Sequence, residues 1–492
     1  MRSFVSVSLQ MWLMKNVAHH FVQLRTRIQI KFNNLQFFTL RHICVKNYTP
    51  RAADMNTVHD PYLRHLFDGD PVFNVYNQEA TNLSVGAPGP DLLKHCVEML
   101  NRSTRHRMEE EEKEGKYYLF QYGVTAGLWE CRDELAKFLS RRYGNSVMRE
   151  HLILTCGASH GLQLLLNIIL SPNGIIFVEE VTYMIALDAF KQFPLIRIVT
   201  VPMKDDVVDL DAFEKIVAEE KTKGNYFLND QKIFWAMFYT IPIFHNPTGM
   251  TLSPDQCKRL VEIAQNNSIA VVCDDVYNLL YYGQGLPPRR LFSYDDPKDT
   301  NYKGGNIVSN CSFSKILAPA IRFGWIECSP RIVNIVKTAG VMCSGGGVNH
   351  YVSGLMTSML HENIEEKYLD KIIKIYRERL DALCATLDRF LPSCCSYRRP
   401  KGGYFVWIHL PSEVDGTKFI KWCQKEYKVS AIPGTRFSYT GEAKNFLRIS
   451  IGFHTREVLE IATHTLCTAL LTYIRRQVND KNDITDTSDL KT

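Results

Sequence analysis

The alternation of short apolar segments with helical patterns between residues 150 and 330 most constrains the fold. Seven of these segments are predicted strands: 152–155, 175–178, 197–201, 234–239, 269–273, 306–311 and 323–327. Three helical patterns lie between them: 161–170, 210–220 and 254–266. Ser253, directly before the last pattern, suits a helix N-cap. Strands that are apolar on both faces and separated by helices predict an α/β fold with a mostly parallel sheet covered on both sides.

A change of pattern after residue 330 predicts a second, smaller α+β lobe built from both ends of the chain. The patterns are helical over 361–390, β-like over 404–409 and helical again over 455–477. The expected boundaries are 54–105 for an N-terminal segment of the small domain, 106–345 for the large domain, 346–478 for the small domain and 479–492 for a disordered polar tail.

The basic charge of the chain is concentrated in residues 1–53. This segment contains eight Lys and Arg residues and no Asp or Glu, whereas the whole chain has a net charge of +6. A basic, acid-free and partly apolar N-terminus is typical of a mitochondrial targeting leader. We therefore expect a protein of the mitochondrial matrix, or a cytoplasmic one if translation starts at Met55. Because the remainder is slightly acidic, no nucleic-acid partner is expected.

The fourteen cysteines form no CxxC pair, and only Cys394 and Cys395 are adjacent. Several lie in apolar runs, where a free thiol behaves as a small hydrophobic side chain. This usage predicts a reducing compartment and no metal site. The longest apolar runs are much shorter than the ~18 residues of a membrane-spanning helix, so no membrane partner is expected.

A single lysine among hydroxyl groups, directly after a predicted strand, is the strongest candidate for a reactive group. This residue, Lys315, is the fourth of the segment Ser-Phe-Ser-Lys-Ile-Leu-Ala-Pro-Ala-Ile-Arg-Phe-Gly-Trp. Removing a lysine from water lowers its pKa, and the free amine can then form a Schiff base with an aldehyde. Ser312, Ser314 and Arg322 suit a phosphate dianion beside that amine. The alternative is a solvated surface lysine.

This segment resembles the signature of the fold-type I, pyridoxal-phosphate-dependent aminotransferases of class I/II. The shared pattern is Ser-x-Ser-Lys-x-x-x-Pro-x-x-Arg-x-Gly, and the resemblance extends from about Asn82 to Gly452. It implies the fold of these enzymes, pyridoxal 5'-phosphate as cofactor, amino-acid and 2-oxo-acid substrates, and a homodimer with shared sites. By the same resemblance, Lys315 carries the cofactor and then moves the proton at the substrate Cα.

Two further motifs imply residues around the cofactor ring. A His-Asn-Pro-Thr-Gly motif resembles the segment whose Asn, here Asn246, donates to the phenolic oxygen, although a plain turn after a strand is the alternative. An Asp-Asp-Val-Tyr motif implies that Asp274 pairs with the pyridine nitrogen and that Tyr277 bonds the phenolic oxygen. Asp275 is a competing candidate for the acid, and acids at strand ends can also cap a following helix.

The turn 155–161, Thr-Cys-Gly-Ala-Ser-His-Gly, resembles the phosphate seat of the family, because N–H groups at a helix N-terminus bind anions. Ser159 is expected to add its hydroxyl. Ala158 stands where the family often has Ser, so we expect one side-chain bond to phosphate to be lost. His160 is expected to be a bystander. Tyr183, in Glu-Val-Thr-Tyr, is expected to stack on the pyridine ring unless it is an ordinary core tyrosine.

Other matches imply the substrate site. Arg448, in Asn-Phe-Leu-Arg-Ile-Ser, matches the arginine that forks onto the substrate α-carboxylate, and a surface arginine on an edge strand is the alternative. Gly86 matches a glycine that lines the substrate pocket, and Asn246 is expected to contact the substrate as well. Tyr122, in Phe-Gln-Tyr-Gly, matches a residue that reaches the phosphate of the neighbouring subunit, unless its ring packs on its own subunit.

The segment 399–407, Arg-Pro-Lys-Gly-Gly-Tyr-Phe-Val-Trp, resembles that of 2-aminoadipate and kynurenine aminotransferases. It implies long or aromatic amino donors with 2-oxoglutarate as acceptor, although branched-chain or broad specificity fits almost as well. Arg289 and Arg290 could bind a distal carboxylate, but adjacent arginines are more often solvated.

Two other functional classes stay open at this point. One is a pyridoxal-phosphate lyase, either a C–S lyase or a cyclopropane-forming synthase, because such enzymes keep the same lysine, acid, tyrosine and arginine. The other is a cofactor-binding transcriptional regulator. The residues before Asn82 are too few for the DNA-binding domain and linker of such a regulator, so we expect an enzyme.

Overall fold

The computed structural model describes residues 80–488, with side chains up to Gln477. The predicted leader 1–53 and the alternative start Met55 lie outside the described residues. The strands are β1 Thr81–Asn82, β2 Leu152–Thr155, β3 Leu170–Glu179, β4 Arg197–Val201, β5 Met203–Lys204, β6 Val207–Val208, β7 Phe234–Thr240, β8 Ala270–Asp274, β9 Ile307–Ser312, β10 Gly324–Glu327, β11 Ser396–Tyr397, β12 Phe405–His409, β13 Val429–Ser430, β14 Ile432–Pro433 and β15 Phe446–Ser450. The α-helices are α1 Pro90–Leu93, α2 Cys96–Glu114, α3 Trp129–Tyr143, α4 Ala158–Ile168, α5 Met184–Phe190, α6 Leu210–Lys223, α7 Pro254–Asn267, α8 Pro330–Val336, α9 Gly340–Cys343, α10 His350–His361, α11 Ile364–Phe390, α12 Gly416–Tyr427 and α13 Arg456–Ser488.

The central sheet has seven strands in the order β2-β10-β9-β8-β7-β3-β4. Strand β10 is antiparallel to both of its neighbours, and the other pairs are parallel. Every residue of β7, β8 and β9 is buried, as expected for strands covered by helices on both faces. The predicted α/β fold with a mostly parallel sheet is therefore confirmed.

The boundary between α4 and β3 differs from the prediction. The helical pattern over 161–170 is the helix α4, which begins earlier and ends at Ile168, while Leu170 already pairs with Phe234 of β7. Strand β3 is therefore longer than the predicted 175–178. The run Leu-Leu-Leu-Asn-Ile-Ile-Leu is apolar enough to suit either element, so periodicity alone could not place the boundary.

The predicted N-cap of α7 is confirmed. The hydroxyl of Ser253 accepts a hydrogen bond from the N–H of Gln256 (3.2 Å), and the side chain of Gln256 accepts one from the N–H of Ser253 (2.8 Å). This reciprocal capping box satisfies two amide groups that the first turn of a helix leaves unpaired.

A second, four-stranded antiparallel sheet has the order β11-β12-β15-β14. Beside it, β1 pairs in parallel with β13, which joins the N-terminal segment to the C-terminal part of the chain. One apolar core contains side chains of both sheets, among them Trp325 of β10 and Ile449 of β15. The two sheets therefore share one continuous apolar core.

The C-terminal helix is longer than predicted. Helix α13 continues to Ser488, whereas the polar composition predicted a disordered tail over 479–492. Leu459, Leu466 and Leu470 anchor the helix in the core, and adding residues to a helix that has already formed costs little. Residues 489–492 lie outside the described residues.

The two adjacent arginines differ in burial. Arg290 is almost completely buried, and its guanidinium donates to both carboxylate oxygens of Glu327 (2.9 and 2.6 Å) and to Asn145 (2.8 Å). Arg289 is exposed and bonds Ser293. The prediction that both are solvated was therefore wrong for Arg290, because a buried acid on β10 compensates its charge.

Within residues 80–488, no helix is long and apolar enough to cross a membrane. The same residues contain no group of His, Cys, Asp or Glu side chains that could hold a metal ion.

Candidate active site

A cavity of about 320 Å³ lies where several strands of the central sheet end. Strands β2, β7, β8 and β9 reach it at their carboxyl ends, the usual place for ligands in an open parallel sheet. Ten of the residues predicted from the sequence line it: Ala158, Ser159, Tyr183, Asn246, Asp274, Tyr277, Ser312, Ser314, Lys315 and Arg322. The fold therefore brings together side chains from segments that are far apart in the sequence.

Lys315 follows the end of β9, and its amine donates a hydrogen bond to the carbonyl of Gly86 (2.7 Å). Burial lowers the pKa of Lys315 from 10.5 to about 8, although the nearby carboxylate of Asp274 opposes this shift. The positive charges of Arg448 and Arg322 lower it further. A larger share of this amine is therefore uncharged at neutral pH than of a lysine in water.

Asp274 is the last residue of β8 and faces the cavity. Its Oδ2 accepts a hydrogen bond from the hydroxyl of Tyr239 (2.6 Å), and its Oδ1 is buried without a partner among the described residues. Burial raises the pKa of Asp274 to about 6. A buried carboxylate oxygen without a partner requires a donor, and a protonated ring nitrogen is one.

The competing acid, Asp275, does not line the cavity. Its carboxylate accepts a hydrogen bond from Ser309 of β9, and burial raises its pKa to about 6. Successive residues at a strand end point to opposite faces of the sheet, so only Asp274 reaches the cavity. The structure thus separates two candidates that the sequence left open.

The first turn of α4 and the loop after β9 supply anion-binding groups. Gly157 precedes the helix with φ +86°, a conformation that favours glycine. Ser159 lies in the first turn, where the backbone N–H groups are unpaired within the helix. The amide of Asn310, on β9, donates to the carbonyl of Ala158 (2.8 Å) and holds the start of the helix against the sheet.

Hydroxyl groups and an arginine lie on the other side of this anion-binding site. The hydroxyl of Ser312 donates to that of Ser314 (2.8 Å) and accepts from the N–H of Ser314 (3.0 Å), which makes a tight turn before Lys315. The guanidinium of Arg322 donates to the carbonyls of Cys156 (3.1 Å) and Pro319 (3.0 Å). These contacts aim a fixed positive charge at the cavity.

Arg448 is buried at the centre of the second sheet, not on an edge strand, because β15 pairs with both β12 and β14. Its guanidinium donates to the side-chain oxygen of Asn246 (2.8 Å) and to the carbonyl of Ser84 (2.6 Å), and its Nε has no partner among the described residues. Burial lowers the pKa of Arg448 to about 10. The rings of Phe405 and Phe437 flank it at 4.0 and 4.8 Å.

Gly86 and Tyr122 differ in their position relative to the cavity. Gly86 contacts Lys315 through its carbonyl, so it reaches the site although it does not line the cavity. Tyr122 lies outside the cavity and is 80% exposed, so little of it is covered by the described part of its own subunit. His160, expected to be a bystander, does not line the cavity, and its ring accepts from the N–H of Cys156 (3.3 Å).

Two residues that support this site were not predicted from the sequence. Tyr239 orients Asp274, and Asn310 holds the start of α4. Both lie near the carboxyl ends of predicted central strands. A polar side chain within a completely buried strand needs a hydrogen-bond partner, and this signal could have identified them.

Comparison with known proteins assigns the chain to a family. The family model "Aminotransferase class I and II" matches residues 79–466. The chain belongs to the class I and II aminotransferases. It is therefore an enzyme that acts on amino-acid and 2-oxo-acid substrates, and its cofactor is pyridoxal 5'-phosphate.

Relatives with known names align with most of the length of this aminotransferase. Aromatic-amino-acid aminotransferase 1 of Thermococcus litoralis is 29% identical over 78% of this chain and 86% of that protein. 2-Aminoadipate transaminase of Thermus thermophilus is also 29% identical, over 78% of this chain and 88% of that protein. The crystal structure of kynurenine aminotransferase from Pyrococcus horikoshii, in complex with PMP, superposes with a TM-score of 0.69 at 28% identity and covers 81% of this chain and 92% of that one.

The residues of the cavity fit the cofactor. When bound, pyridoxal phosphate supplies an aldehyde and an electron-accepting pyridine ring. Lys315 offers the amine for the aldehyde, and the Oδ1 of Asp274, which lacks a partner in the described part of the chain, offers an acceptor for a protonated ring nitrogen. The start of α4, Ser312 and Arg322 offer donors for the phosphate, and Tyr183 and Tyr277 supply aromatic surface.

The lowered pKa of Lys315 leads to a testable prediction. In cofactor-free protein, the rate of Schiff-base formation with pyridoxal phosphate should rise with pH through a midpoint at about 8, because only the uncharged amine reacts. Asp274→Asn should lower this midpoint, because it removes a negative charge that stabilises the ammonium ion. Stopped-flow absorbance measures the rate.

Asp275→Asn is the matched control for that experiment. It changes a neighbouring buried carboxylate that faces away from the cavity, so the midpoint should stay where it is in the wild type. A wild-type midpoint near the 10.5 of an ordinary lysine would contradict the burial of the amine.

Proposed function

We propose that this aminotransferase accepts long or aromatic L-amino acids such as 2-aminoadipate, kynurenine or aromatic amino acids, with 2-oxoglutarate as amino acceptor. The observation that carries the proposal is the buried guanidinium of Arg448, whose Nε has no hydrogen-bond partner within residues 80–477 and which lies between two phenyl rings beside the cavity. A buried cation of this kind requires an anion, and a substrate α-carboxylate supplies one.

The donor class is supported by relatives and by the surroundings of Arg448. The relatives described above bear the names of aromatic-amino-acid, 2-aminoadipate and kynurenine aminotransferases. In this chain the guanidinium faces Phe405, which follows the Gly-Gly-Tyr segment resembling those enzymes. Phe405 also packs edge-to-face on Tyr277 (centroids 5.5 Å apart), so aromatic surface continues toward the cavity.

The side chains have separate tasks in this proposal. Arg448 and Asn246 bind the α-carboxylate and so orient the Cα–H bond of the donor. Lys315, with its lowered pKa, takes the proton from Cα as a general base and returns it at another carbon as a general acid. Asp274 balances the positive charge of the ring nitrogen in a cavity from which water is partly excluded.

Absorbance spectra of the purified protein test the proposal. The band of the lysine-bound cofactor should form in the wild type but not in Lys315→Ala. It should convert to the pyridoxamine form with 2-aminoadipate or kynurenine and return on addition of 2-oxoglutarate. A lyase would instead release part of the substrate side chain without any acceptor, and a regulator would bind the cofactor without turning over either substrate. Either result would overturn the proposal.

Arg448→Lys tests the carboxylate site separately. Lysine keeps the charge but cannot form two parallel hydrogen bonds, so the KM of the amino donor should rise roughly 10- to 100-fold. The dissociation constant of pyridoxal phosphate, measured by titration of the same variant, should stay within about twofold of the wild type, because Arg448 does not line the cofactor cavity. An unchanged KM would contradict this role.

We also propose that the enzyme is a homodimer in which Tyr122 contributes to the partner's site. Tyr117, Tyr118, Phe120 and Tyr122 are more than half exposed on one segment, and the N–H of the adjacent Gly123 donates to the carbonyl of Gly345 (3.1 Å). Exposed aromatic side chains concentrated in this way are typical of protein interfaces.

Light scattering and cofactor titration test the dimer. The mass should be twice that of the 56.6 kDa chain, or twice that of a processed chain. Tyr122→Phe should leave the mass unchanged and weaken the binding of pyridoxal phosphate severalfold, because one hydrogen bond to phosphate is lost. A monomer, or unchanged cofactor affinity in the variant, would contradict this arrangement.

A further inference from the structure

The hydroxyl of Tyr404 reaches the main chain of the catalytic lysine. Tyr404 is completely buried directly before β12, and its hydroxyl donates to the carbonyl oxygen of Lys315 (2.7 Å). The turn that carries Lys315 is closed mainly through Phe313, whose carbonyl accepts from Ile316 and Leu317. The carbonyl of Lys315 is therefore held from the second sheet.

Because each tyrosine hydroxyl has only one proton, the direction of the hydrogen bonds around Tyr404 can be assigned. The hydroxyls of Tyr404 and Tyr376 lie 2.9 Å apart. Because Tyr404 uses its single hydroxyl proton for the carbonyl of Lys315, Tyr376 must donate to Tyr404. A chain of two hydroxyls thus leads from helix α11, which carries Tyr376, to the main chain of the catalytic lysine.

The main chain beside Tyr404 passes close to the loop that carries Asn246. Gly403 has φ +69°, and a Cβ at this position would lie 2.6 Å from the Cβ of Phe244. The glycine therefore permits an approach that a larger residue would prevent. The ring of Tyr404 then packs on that of Tyr277, with centroids 5.6 Å apart, so this side chain contacts two parts of the active site.

We propose that Tyr404, supported by Tyr376, is a positioning residue for Lys315 in the aminotransferase reaction. The amine of Lys315 must serve both cofactor and substrate, so it has to move through its side-chain torsions from a fixed main-chain origin. Tyr404 fixes that origin against the second sheet. The proposal rests on the aminotransferase activity and does not depend on which amino acid is the donor.

Tyr404→Phe tests the proposal because it keeps the ring and removes only the hydroxyl. We expect kcat to fall about tenfold while the KM of the donor stays within about twofold. In cofactor-free protein, the rate of Schiff-base formation with pyridoxal phosphate should fall to a similar extent. Tyr376→Phe, which leaves the bond to Lys315 but removes its support, should lower both rates about threefold.

Tyr282→Phe is the matched control. Tyr282 is also buried, and its hydroxyl donates to the carbonyl of Gly403 (2.7 Å) without contacting Lys315. We expect this variant to lose thermal stability comparable to that of Tyr404→Phe, measured as Tm, with both rates unchanged.

Three results would overturn the proposal. One is an equal loss of both rates in Tyr404→Phe and Tyr282→Phe, which would indicate a merely structural role. Another is a lower Tm of Tyr404→Phe with unchanged rates. If Tyr404→Phe does not fold, the comparison of Tyr376→Phe with Tyr282→Phe decides, and equal rates in these two variants would count against the proposal. An enzyme that proves to have a different donor leaves these expectations unchanged.

Discussion

The removal of the Lys315 amine from water is the physical constraint on which the rest of the site depends. Burial lowers the pKa of this lysine to about 8, and the carboxylate of Asp274 partly opposes that shift. Without the carboxylate, a buried ammonium ion would cost free energy with nothing to balance it. Without burial, the amine would be almost entirely protonated and unreactive at neutral pH. The end of the parallel sheet supplies both conditions.

The N-terminal segment links the side chains of Lys315 and Arg448. The carbonyl of Ser84 accepts from Arg448, that of Val85 accepts from the hydroxyl of Ser450, and that of Gly86 accepts from Lys315. Three successive carbonyls thus join the central sheet to the second sheet. Because peptide carbonyls carry only partial charge, they can stabilise a guanidinium and an amine without the full attraction of a carboxylate. Arg448 and Lys315 therefore stay available to ligands.

Several contacts extend this arrangement into the core. Tyr239 orients Asp274 from β7, and Tyr404 holds the main chain of Lys315 from the second sheet. In both cases a buried tyrosine uses its ring for packing and its hydroxyl for one directed hydrogen bond. The geometry of the site is thus supported by hydrogen bonds from buried tyrosines, and the position of the second sheet relative to the central sheet affects the main chain of the lysine directly.

The class of fold, Lys315 as the candidate reactive group and the segments that meet around it could be predicted from the sequence alone. Strand and helix periodicity depends only on residues close together in the sequence, and a motif such as Ser-x-Ser-Lys can be recognised in one sequence without its fold. The three-dimensional fold separates Asp274 from Asp275, because that choice depends on which face of the sheet each side chain occupies. It also decided that Arg290 is buried against Glu327, that Arg448 lies at the centre of a sheet, and that Tyr404 supports Lys315. The contacts of Arg290 with Glu327 and of Tyr404 with Lys315 join residues 37 and 89 positions apart, and no local pattern encodes which partner a buried polar group will meet.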